Sequence, residues 1–99
     1  MSIVAIYGFH GVFTGEREHG YKHPDVGAWH KCMLFLAQAD EAPVEDAARA
    51  ECAKYGFLEP EFSGYGPLQV EVLNTDQFRG FVVFYEEALK DGSALVYYP

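Results

Sequence analysis

A chain of 99 residues that is 49% hydrophobic and 16% aromatic carries enough apolar material for one folded core, which argues against intrinsic disorder and against a second domain. Fifteen acids against seven lysines and arginines leave a formal net charge of −8 and a pI near 4.8. That charge argues against DNA, RNA and anionic membranes as partners, because each would be repelled.

Met1 to Tyr7 lacks the basic start and long apolar stretch of a signal peptide, and no apolar run reaches the length of a membrane span. The expectation is therefore a single cytoplasmic domain over residues 1–99. Ile3 to Phe9 is short, apolar and rich in β-branched and aromatic residues, so it predicts a strand. Gly8 to Gly27 follows, with five glycines and Pro24, and predicts a long polar loop with at most a short strand at Val12 and Phe13. The four histidines, His10, His19, His23 and His30, all fall in or beside this stretch.

Trp29 to Ala39 reads as the clearest strand. Both of its alternating sets are largely apolar, which predicts a central strand covered on both sides, with Trp29 in the core. Asp40 to Pro43 predicts a helix start, with proline at the first helical position and Glu45 and Asp46 favoured in the first turn by the helix dipole. Val44, Ala47, Ala48, Cys52 and Tyr55 make its apolar stripe, and Gly56 ends it.

Phe57 to Phe62 and Pro67 to Leu73 predict two strands joined by a glycine-rich turn at Ser63 to Gly66, the first weakened by Pro60. Asn74 or Thr75, with Gln77, caps a second predicted helix whose stripe is Phe78, Phe81, Val82, Tyr85, Ala88 and Leu89, and Lys90, Asp91 and Gly92 end it. Gly80 to Tyr85 alone would pass as a strand; the helix formers after it decide for helix. Ala94 to Tyr98 closes the chain as a strand.

The expected fold is thus α+β: a ferredoxin-like β-α-β-β-α-β sandwich over residues 29–98, with an extra N-terminal strand at an edge or on the open face, and the long Gly/His loop. Both helices would cover one face of the sheet. The other, apolar, face would then favour a homodimer.

No motif carries chemistry outright. His19 and His23 are four apart, half of a metal site, but Gly20 and Pro24 disfavour the helix that would unite them. Cys32 and Cys52 fit no CxxC or zinc spacing and read as buried small hydrophobes in a reducing compartment. Gly8, Gly11 and Gly15 match neither the dinucleotide nor the phosphate-loop pattern. No cofactor is expected.

Charge is the most localised signal. Residues 40–61 hold seven acids against Arg49 and Lys54, a net of −5. The ordinary reading is a solvated helix face; the functional reading is a surface, Glu41, Glu45 and Asp46, that meets a basic protein. The favoured expectation is a non-enzymatic binding module, homodimeric, with His10, His30 and Tyr65 as candidate ligand-binding residues. The alternatives are an acidic inhibitor or immunity-type protein masking a basic partner, and a small enzyme with His10 or His30 in a pocket between sheet and loop.

Overall fold

The computed structural model describes residues 3–15, 26–68 and 79–98. These residues form a small α+β structure with four strands and two helices. In chain order they are β1 (Ile3–Val12), β2 (Trp29–Gln38), α1 (Glu45–Lys54), β3 (Glu61–Pro67), a 3₁₀ turn (Arg79–Phe81), α2 (Val82–Asp91) and β4 (Ser93–Tyr98). All sheet pairings are antiparallel, in the order β3-β1-β2-β4.

The order follows from which strands have two faces to bury. In β1, Ala5, Tyr7 and Phe9 face one side while Val4 and Ile6 face the other; in β2, Cys32, Leu34 and Leu36 oppose Met33 and Phe35. Doubly apolar strands belong in the middle of a covered sheet. Strand β3, with Ser63, Gly64 and Gly66, has little to bury and takes an edge.

Each face receives one helix. Helix α1 lays Ala48 and Cys52 on the first face, where Tyr55, Phe57 and Phe13 complete a core with Phe9, Leu34 and Leu95. Helix α2 lays Ala88 on the second, with Phe81, Phe84 and Tyr85 packed around Val4, Phe35 and Ala94.

This corrects the expected architecture in three ways. The helices lie on opposite faces, not one, because β1 and β2 are apolar on both sides and neither side could be left wet. The N-terminal strand is central instead of an addition at the edge, and it runs to Val12, taking Gly8 and Gly11 out of the expected loop. Ser63 to Gly66 is strand, not turn: its pairing with β1, Gly8 opposite Gly64, outweighs the turn preference of isolated glycines. The ferredoxin-like arrangement is accordingly not confirmed, and Phe57 to Pro60 joins α1 to β3 without forming a strand.

Smaller differences concern the helices. Pro43 lies outside α1, whose N-cap is Val44 with no side-chain cap. Val44 and Ala47 are exposed, so the buried stripe is Ala48, Cys52 and Tyr55. In α2 the helical reading of residues 82–85 holds, while Leu89 is exposed. Gly56 and Gly92, at φ of 99° and 97°, end the two helices in the left-handed conformation that favours glycine. Residues 69–73 of the expected strand and the capping residues 74–77 lie outside the described residues. So do His19 and His23.

Candidate functional site

Where β3 runs past the start of α1, a cleft of about 260 Å³ opens, lined by Tyr7, Pro43, Glu45, Phe62, Gly64 and Tyr65. Its floor is aromatic. Tyr7 packs on Tyr65 at 4.9 Å between ring centroids and edge-on to Phe62 at 6.1 Å. These three rings stand on one sheet face because Tyr7 pairs directly with Tyr65, and the bulge at Ser63 brings Phe62 opposite Phe9 on that same face.

A polar network fixes the cleft against the segment that leads into α1. The buried Tyr7 hydroxyl donates to Gln38 Oε1 at 2.7 Å and accepts the Val44 amide at 2.9 Å. Gln38 Nε2 donates to the carbonyls of Asp40 (2.7 Å) and Ala42 (2.9 Å). Asp40 Oδ1 accepts the Ala42 amide, and the Tyr65 hydroxyl donates to the Glu41 carbonyl. One tyrosine and one glutamine thereby satisfy most of a turn that has no regular hydrogen bonding of its own. Burial, against the opposing effect of the Val44 hydrogen bond, holds the Tyr7 phenol above its ordinary pKa.

The rim is charged. Glu45 pairs with Arg49 at 3.1 Å, and the same guanidinium lies 5.2 Å from the centre of the Phe62 ring. Both partners of the ion pair are well exposed, so it contributes little and exchanges readily. Glu41 and Asp46 are exposed nearby in sequence, whereas Glu61, exposed at the start of β3, pairs with His10 and so faces the other side of the sheet.

Of the six residues singled out from the sequence, three therefore come together here: Tyr65, Glu45 and, through its carbonyl, Glu41. The two histidines do not. His10 and His30 sit on neighbouring strands one register step apart, so their side chains emerge on opposite faces of the sheet and no single pocket holds both. His30 is buried against Tyr97, ring centroids 5.9 Å apart, and its carbonyl accepts from the Cys32 thiol. His10 stacks on Trp29 at 6.1 Å on the other face, beside Glu61 and Lys31 in the cross-strand register.

The reading of Trp29 as core is corrected: it is 58% exposed, next to exposed Leu58 and Val12. Together with Thr14 and Glu59 these line a second cleft of about 240 Å³. Trp29 sits at the β1–β2 end that α2 does not reach, so strand alternation alone could not tell whether its face was covered there.

Sequence patterns missed Tyr7, Gln38, Phe62 and Arg49. A signal existed for the first two. A tyrosine and a glutamine on otherwise apolar strands bring polar ends that must find partners once buried. Cys32 and Cys52 are both fully buried in the same core, and burial pushes each thiol up to about 12. Thiols held that high are protonated near neutrality and are poor nucleophiles. Among the described residues, no three His, Cys, Asp or Glu side chains gather as a metal site, and no helix is long and apolar enough to cross a membrane. Compared with protein-family models, curated proteins and solved structures, the chain matches none.

Proposed function

We propose that this protein is a cytoplasmic, non-enzymatic binding module whose site is the cleft between β3 and the start of α1, and whose partner is a basic protein. The observation that carries the reading is the meeting of aromatic floor and carboxylate rim: Tyr7, Phe62 and Tyr65 beneath Glu45, within a stretch of net charge −5. Such a site suits a lysine or arginine side chain, whose alkyl stem packs on rings while its head meets a carboxylate. Arg49 supplies an internal precedent, lying over Phe62 while pairing with Glu45.

The test is titration against an array of lysine- and arginine-rich peptides, with neutral peptides as controls, at low and high salt. The expected result is selective binding of the basic set, weakened by salt and by Glu45→Gln. Affinity that ignores both salt and Glu45 would reject the reading.

A second reading, homodimerisation, is favoured by a different observation: the exposed Val12, Trp29 and Leu58 beside the second cleft. Its expectation moves from a whole open sheet face to this one end. Sedimentation of the chain and of Trp29→Ala tests it; a concentration-independent monomer in both would end it.

A further inference from the structure

We infer that the basic partner binds as an extended segment that adds to the outer edge of β3 as a fifth strand; this rests on the site assigned above. Strand β3 pairs with β1 along one side only, and among the described residues its other side carries no strand. An edge of this kind offers a row of backbone donors and acceptors to an incoming chain.

Three features narrow the occupant. First, the strand is uncrowded: a Cβ built at Gly64 or at Gly66, which project to the same sheet face, would meet nothing within 4 Å among the described residues. Second, the usable window is short. Glu61 begins the strand, the bulge falls between the Gly8–Gly64 and Phe9–Phe62 pairs, and Pro67, without an amide hydrogen, ends it. These are devices that discourage unlimited sheet growth, and they leave room for one short segment. Third, the charge selects its chemistry. Glu45 flanks this edge on the cleft face and Glu61 on the other, and Arg49 is already paired with Glu45, so a second copy of the chain would bring carboxylates against carboxylates. A lysine- or arginine-bearing segment instead places a cation over the Tyr7, Phe62 and Tyr65 rings.

The experiment uses the intact chain and a capped peptide alternating lysine with threonine, of strand length (about six residues). Two further versions carry backbone N-methyl groups, one on the lysines and one on the threonines. In a paired strand successive amides point to opposite sides, so only one set faces β3. The expected result is that the parent peptide binds at low salt and one N-methylated version loses affinity by about tenfold or more, while the other does not. The Tyr65 amide, which alternates with the β1-bonded Leu68 amide and so points away from β1, should also exchange more slowly in the complex.

If both N-methylated versions bind like the parent while Glu45→Gln still weakens binding, strand addition is overturned and the acidic-cleft reading survives. If the parent peptide fails to bind at low salt, or binds without regard to Glu45, both fall. Dimerisation of the chain that the peptide cannot displace would assign the edge to a second copy and overturn the inference.

Discussion

The two faces of the sheet are made by the same alternation yet finished differently. On the α1 side, Phe9, Phe13, Phe57, Cys32 and Cys52 are fully buried, and the tyrosine hydroxyls are anchored by Gln38 and Ser93. On the α2 side, the fully covered set is Val4, Phe35, Ala88 and Ala94, and the far end leaves Val12 and Trp29 exposed. The difference teaches that an apolar strand face states a need for cover, while the helix and its flanking residues decide how far the cover reaches. Around α1 the residues after the helix, Tyr55 and Phe57, extend it beyond the helix itself.

That contrast is open to direct challenge. The largest effect belongs to the closed face: Phe57→Ala should cost about 3–5 kcal/mol in urea unfolding, because it empties the space between Phe9 and Phe13. Trp29→Ala, the larger truncation, should cost less than about 1 kcal/mol if its face is open as described. A reversal of that ranking would break the comparison.

The next effect is at alkaline pH, where three groups of the closed face act together. Burial pushes Cys32 and Cys52 from 9.0, and Tyr55 from 10.0, to about 12 in each case. The folded chain therefore holds protons that the unfolded chain releases. Stability should be full below about pH 9 and fall as pH climbs toward 12. Urea midpoints across this range give the slope, and a flat profile would show that these groups are not sealed from water.

Gly11→Ala probes closeness of packing on that same side. A Cβ there would lie 3.1 Å from the Phe57 ring, so about 1–3 kcal/mol should be lost as the ring is displaced. Ser93→Ala should cost about 1–2 kcal/mol. It removes the hydroxyl that joins Tyr55 of the α1 side to Glu51, a carboxylate also paired with Lys54. Smallest is Arg49→Ala, under about 1 kcal/mol by thermal melting, since its ion pair is exposed. That variant sharpens the contrast between stability and binding. It should bind the lysine peptide at least as well as the parent chain, because it frees Glu45 and Phe62.

Much of the architecture was legible in short-range pattern. The strands at Ile3 and Trp29 and the two helices ending at Gly56 and Gly92 follow from periodicity and from the left-handed cap that glycine supplies. The misreading at Ser63 to Gly66 has an equally local cause: glycine and serine suit turns and edge strands alike, and only the partner strand separates the two. For the candidate site, Glu41, Glu45 and Tyr65 stood out by charge and residue type. Tyr7 and Gln38, which hold the site together, were hidden by 31 residues of sequence separation between hydroxyl and amide.

Local pattern was enough for the strands beginning at Ile3, Trp29 and near Ala94, for the two helices, for the acidity and for the apolar faces that needed burial, since these depend on neighbours within a few residues. Tertiary structure alone decided that β1 lies between β3 and β2, that the helices take opposite faces, and that His10 and His30 part company while Tyr65 and Glu45 meet. Those outcomes depend on which strands pair and in what register. A single-residue step in register sends a side chain to the other face, and no local pattern encodes that choice.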